Sequence, residues 1–214
     1  MNKEMKKKDK IILYLIATIA LFSFILIFLN INSQNALTTL DNGVNYFSTQ
    51  IQIPFFVTIS KIISYLFDPV VFLFLFFIVI SLLIKKKRKK EAFSLAILTI
   101  LSVSLNQILK ILIHRPRPLN SLIAESTFSF PSGHALISLI FFGALIFLFE
   151  HHIKNKVEKK FLTIIAALAV LIISLSRIYL NVHWLSDVLG SFALGIFIIT
   201  CFALLVRRTT IFRN

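Results

Sequence analysis

The sequence predicts an all-α membrane protein, a six-transmembrane-helix bundle with an interfacial helix before the second span. Three observations lead there. The 214-residue chain is 57% hydrophobic, with a mean hydropathy of +0.89, which is too apolar for a soluble core of that length. Apolar runs long enough, or nearly so, to cross about 30 Å of hydrocarbon recur along it. Most of the cations lie between those runs.

The first run, residues 11–30, follows MNKEMKKKDK. It resembles a signal peptide, but its length and the lack of a small-residue cleavage pattern favour an uncleaved first span. Residues 51–67, IQIPFFVTISKIISYLF, carry Lys61, with Ile59, Ile62, Ile63 and Leu66 at helical spacing; this pattern suits a helix lying along the interface, or the start of a long second span. The second run is 69–84 and the third 92–113, followed by 131–149, 161–176 and 188–206. The two 16-residue runs reach spanning length by borrowing neighbours, the fifth through Leu180. The whole of 1–214 reads as one integral membrane domain with its site region at 110–187. The single cysteine, Cys201, falls inside the last run, so no intramolecular disulfide is expected.

A net charge of +14 invites a nucleic-acid reading, which the placement of the charges excludes. Eighteen of the 23 Lys and Arg residues lie in 1–10, 85–90, 154–160 and 207–213. With six spans these clusters share one side, which the positive-inside rule makes cytoplasmic, with both termini there and lipid headgroups as neighbours. On that topology His151 and His152 are solvated on the cytoplasmic side. The remaining cations, Lys61, Lys110, Arg115, Arg117 and Arg177, lie at or towards the opposite face and need another reason to be there.

Three short motifs supply it. KILIHRPRP (110–118) sets Lys110 before Arg117 and Pro118 at the end of the third span; by itself it is equally a snorkelling lysine with interfacial arginines. TFSFPSGH (127–134) opens the fourth. Pro131 needs no backbone partner near a helix start, Ser129 or Ser132 can cap it, and Gly133 permits close approach. The free N–H groups and the dipole then attract an anion, with the Ser132 hydroxyl and His134 facing it; the bland alternative is a helix cap with an interfacial histidine. SRIYLNVHWLSD (176–187) joins the fifth and sixth spans. His183 and Asp187, four apart, share a face if a helix begins near 183, so the carboxylate can hold one ring nitrogen while the other faces substrate. A structural Arg177 to Asp187 ion pair is the alternative. Span parity brings all three motifs to the same face. Tyr179 and Trp184 read as interface anchors, His114 and Arg115 as headgroup or interfacial residues, and Glu125 and Ser126 as candidates for the mouth of the site.

Taken together, Lys110, Arg117 and Pro118, then Pro131, Ser132, Gly133 and His134, then Ser176, Arg177, His183 and Asp187 resemble the tripartite signature of the type 2 phosphatidic acid phosphatase superfamily. The resemblance implies a phosphohistidine intermediate on His183, with His134 protonating the leaving oxygen and water later releasing phosphate. The residues themselves suit that chemistry. Lys110, Arg117 and Arg177, with Ser132 and the turn at Gly133, can clamp phosphoryl oxygens, while Asp187 fixes the tautomer of a nucleophilic His183. No cofactor is expected, and with three fixed cations in place of a divalent ion the reaction is expected to be metal-independent. The substrate expected is a lipid phosphate whose tails stay in the bilayer; undecaprenyl diphosphate, phosphatidylglycerol phosphate and phosphatidic acid are the classes that the resemblance implies, handled at the extracytoplasmic face of the cell membrane. A phosphotransferase using the same histidine is the nearest alternative. A transporter would need more polar residues along the spans than Asn106, Gln107 and scattered Ser and Thr.

Overall fold

A computed structural model of the chain describes residues 7–149 and 153–208, and within them the regular elements are all helices: α1 (Lys7–Asn30), α2 (Ala36–Gln50), α3 (Pro54–Leu66), α4 (Pro69–Lys85), α5 (Lys89–Ile113), α6 (Gly133–Phe149), α7 (Lys156–Tyr179) and α8 (Leu185–Arg208). His151 and His152 lie outside the described residues. Four helices, α1, α5, α7 and the Leu185–Val206 part of α8, are long and apolar enough to cross a membrane. Pro54–Leu66 and Val71–Lys85 qualify together as a pair bent by 50°, so the segment read from sequence as interfacial is a helix set at an angle to its successor. α6 has 17 residues, a length of about 25 Å.

Burial follows the logic of a chain solvated by lipid. Large side chains such as Phe22, Phe74, Phe93, Leu112 and Phe161 are exposed, while Ser102, Asn106, Ser138, Ser174 and Ser191 are buried. Helix α2 makes the inversion plain: Leu40 and Phe47 face outward while Asp41 and Ser48 are the residues it buries. Asn35 caps this helix by accepting from the Leu37 and Thr38 amides at 2.9 and 3.2 Å. The runs of apolar residues do not announce α2, and no element was expected at 31–50.

The core lies between α4, α5, α6 and α8, around Leu95, Leu136, Ile140, Ala144 and Leu194. α6 sits against α5, α7 and α8, and α1 lies along α8. Because α5 ends where α6 begins, and α7 ends where α8 begins, the three motifs meet at one end of this bundle.

Candidate active site

The third motif is shaped by how α7 stops. Asn181 adopts a left-handed conformation (φ 53°), which asparagine tolerates better than most residues. Its amide bonds the Ile178 carbonyl at 2.9 Å and the Val182 amide reaches back to the Arg177 carbonyl at 3.0 Å, the pattern of a Schellman cap. The reversal delivers His183 one turn before Asp187. Its Nδ1 lies 3.2 Å from Asp187 Oδ2, and its Nε2 lies 3.3 Å from an Arg117 guanidinium nitrogen. His183 is buried. Burial first, and then the positive charges of Arg117, Arg177 and Lys110, push its pKa well below the ordinary 6.5, so the ring is neutral at physiological pH.

The first motif also ends its helix, α5, on a left-handed residue, His114 at φ 51°, here with the single bond from its amide to the Lys110 carbonyl at 3.1 Å. Lys110, in the last turn, donates to the Phe128 carbonyl at 2.6 Å and to Thr127 Oγ1 at 3.2 Å. Arg117 donates from Nε to the Thr127 carbonyl at 2.7 Å and from a terminal nitrogen to the Val182 carbonyl at 2.8 Å. Backbone at 127–128 therefore ties the first motif to the second, and Val182 ties it to the third. Arg177 is 2% exposed and donates to Ser64 Oγ and Glu125 Oε1.

The second motif is held from both sides. Asn106 donates to the Pro131 carbonyl at 3.2 Å, and a Cβ placed on Gly133 would lie 3.2 Å from Asn106 Oδ1, so the group that the glycine admits is this side chain. The Ser132 amide bonds the Asp187 carbonyl at 3.4 Å, and Ser191 donates to the Ser132 carbonyl at 3.0 Å. The Ser129 hydroxyl donates to the Pro116 carbonyl at 3.1 Å. The hydroxyl of Ser132, fully buried, has no partner among the described residues, and neither has Arg177 Nε. Buried donors left unmatched are costly, and these two are unmatched in residues expected to grip phosphoryl oxygens. His134 Nε2 lies 3.1 Å from the Ser64 carbonyl, which fixes that nitrogen as a donor.

All the expected site residues thus belong to one connected cluster. The expected Arg177 to Asp187 alternative is not what forms: Arg177 pairs with Glu125 and Asp187 with Arg115. Arg115, expected at the interface or against a headgroup, is 4% exposed. Its guanidinium spans Asp187 Oδ1 at 2.6 Å and Asp41 Oδ2 at 2.7 Å and lies 5.7 Å from the Trp184 ring centroid. Trp184 in turn donates from Nε1 to the Pro116 carbonyl at 2.9 Å, and Tyr179 bonds the break between α2 and α3 through Ile51 and Ile53. Asp41, Ser64, Asn106 and the carbonyls of 127–128 support the site without having been read as members of it. Only Asp41 carried a usable signal, an unpaired acid in an otherwise neutral stretch.

A buried imidazole backed by a carboxylate, beside two guanidiniums and an ammonium, lies at one end of an apolar helix bundle, and such a cluster has the charge and the donors to take a compact anion. The chain belongs to the PAP2 superfamily, whose profile matches residues 91–211. It is 39% identical over 94 residues to phosphatidylglycerophosphatase B of Bacillus subtilis (strain 168), covering 43% of this chain and 46% of that protein. It is 29% identical over 114 residues to an undecaprenyl-diphosphatase of Sulfolobus acidocaldarius, covering 50% and 51%. These matches span about half the length of each curated relative. The fold is similar to the crystal structure of a transmembrane PAP2-type phosphatidylglycerolphosphate phosphatase from Bacillus subtilis, with a TM-score of 0.82 and 26% identity over 90% of this chain and 96% of that one.

Proposed function

We propose that this protein is a metal-independent lipid phosphate phosphatase that hydrolyses a monoester or diphosphate headgroup through a phosphohistidine on His183. The observation that carries the reading is the placement of the His183 ring, with Nδ1 on Asp187 and Nε2 against Arg117. Nε2 attacks phosphorus and the bond to the leaving oxygen breaks. Lys110, Arg117, Arg177 and the Ser132 hydroxyl hold the remaining oxygens as charge redistributes. The leaving oxygen takes the Nδ1 proton of His134, which enters this step as an imidazolium with Nε2–H on the Ser64 carbonyl and is left neutral by it. Water then attacks the phosphohistidine, returns a proton to His134 and releases phosphate. Asp187 keeps the His183 tautomer fixed and balances the positive ring during attack.

In the membrane, α1, the α3–α4 pair, α5, α6, α7 and α8 act as six spans, with both termini cytoplasmic and the site at the opposite face, where α3 lies near the headgroups. The substrate's tails remain among the exposed apolar side chains while its phosphate enters the cation cluster. Phosphatidylglycerol phosphate, undecaprenyl diphosphate and phosphatidic acid all meet that description, and the named relatives act on the first two classes. Purified wild type in detergent with EDTA is expected to release inorganic phosphate from at least one of the three without an added acceptor, and His183→Ala almost none. Turnover by the variant would remove His183 as nucleophile, loss with EDTA would remove the metal-free claim, and dependence on a second lipid would make the protein a phosphotransferase.

A further inference from the structure

Arg117 and Arg177, which should be open to a substrate, already share an anion. Glu125 Oε1 accepts from an Arg177 terminal nitrogen and Oε2 lies 3.6 Å from an Arg117 terminal nitrogen. Its side chain is 26% exposed, whereas those of Arg177 and Arg117 are 2% and 11% exposed. It therefore stands at the open side of the pair. We propose that Glu125 is a specificity-determining residue: its carboxylate occupies the phosphoryl position in the free protein, so that a doubly charged headgroup phosphate displaces it and the singly charged phosphodiester headgroups of bulk lipid do not.

The proposal rests on the reading of Arg117 and Arg177 as phosphate ligands. A cation cluster at the headgroup level of a bilayer is surrounded by phosphodiesters at very high local concentration, and a site open to them would be blocked by them. A diester offers two non-bridging oxygens and one negative charge, which is what the carboxylate already supplies. Displacement by a diester is then an exchange of like for like, and the tethered carboxylate wins because its effective concentration beside the arginines is high. A phosphate monoester brings three terminal oxygens and about −1.5 to −2 charge. It can bond both guanidiniums and still reach Lys110 and Ser132, so it gains contacts that the carboxylate cannot make.

Displacement asks only for a turn of the Glu125 side chain, because the backbone around it is held by the Leu122 amide on the Leu180 carbonyl and by the Thr127 carbonyl on Arg117 Nε. Burial pushes the Glu125 carboxyl up, but Arg177 and Arg117 outweigh it and hold the group below the ordinary carboxylate range, so it is anionic at neutral pH.

Two measurements on the full chain in dodecyl maltoside micelles test this, each repeated with rising mole fractions of phosphatidylglycerol: phosphate release from phosphatidic acid, and the thermal unfolding midpoint. Wild type and Glu125→Asp should show an unchanged KM and an unchanged midpoint. In Glu125→Gln, phosphatidylglycerol should raise the apparent KM about tenfold, without lowering kcat at saturation, and should raise the midpoint. Equal sensitivity of wild type and Glu125→Gln overturns the proposal, whether both respond or neither does. A Glu125→Gln protein that releases no phosphate is decided by the thermal comparison alone, on the same criterion. Failure of wild type to release phosphate from any lipid phosphate would defeat the parent reading instead, and that result comes from a different sample.

Discussion

Arg115 carries two buried carboxylates at once, Asp41 at 1% exposure and Asp187 at 0%. The Ser186 amide and hydroxyl both donate to Asp41, at 2.9 and 2.5 Å, so the acid is fully engaged and the guanidinium is locked in place. Replacing Arg115 by Met leaves two acids without their cation, which should cost about 3–5 kcal/mol of stability and most of the phosphate release. Arg115→Met with Asp41→Asn removes one of those acids and should recover part of the loss, with a coupling of about 0.5–3 kcal/mol. Thermal or denaturant unfolding in detergent of the two single variants and the double variant measures it; additive effects would mean that Asp41 does not act through Arg115. The residues that the structure clusters here could be singled out from sequence because each type has a reason to sit at its spacing. Arg115 was visible but misplaced, since a cation next to proline at a span's end is indistinguishable from a headgroup contact until its partner is known. That partner lies 74 residues away, and pairing over such a separation leaves no local pattern.

Between elements, small residues set how closely α6 and α8 approach. A Cβ on Gly190 would fall 2.6 and 2.8 Å from ring atoms of Phe130, which is fully buried beside Pro131; on Gly195 it would meet Leu139 Cδ2 at 2.8 Å. The leucine end can rotate away, whereas the ring is packed against Phe24 as well. Gly190→Ala should therefore destabilise by about 1–3 kcal/mol and reduce activity by shifting the turn at 131–134, while Gly195→Ala should cost less. Unfolding midpoints of the pair in detergent check the order; a larger loss at Gly195 would contradict it. The long apolar helices were legible because lipid demands unbroken hydrophobic runs. α2 was not, although Leu37, Leu40, Val44 and Phe47 recur at helical spacing after Asn35, because its polar residues point inward and dilute the hydropathy that marks a membrane helix.

At the scale of the molecule, one end gathers Lys110, Arg117, Arg177, His134 and His183, and the linkers 86–88 and 153–155 lie at the far ends of the helices that bear them. The proposed orientation predicts opposite accessibility for two engineered cysteines in a Cys201→Ser background. One at Ser126 should react with an impermeant maleimide added to intact cells, and one at Asn155 only after lysis. The reverse pattern would invert the topology and place the chemistry in the cytosol. The lysine and arginine clusters are what the proposed polarity rests on, whereas the angle between α3 and α4 goes with packing against α7 and could not be read from hydropathy.

The PAP2 profile begins at residue 91, yet Asp41 steadies Arg115, and Ser64 meets both Arg177 and His134. A recombinant segment starting at the profile boundary would keep every signature motif and lose these props. In chimaeras between relatives, the amino-terminal third should consequently be exchanged together with the residues it braces, since a graft made at the motif border joins chemistry from one parent to scaffolding tuned for another.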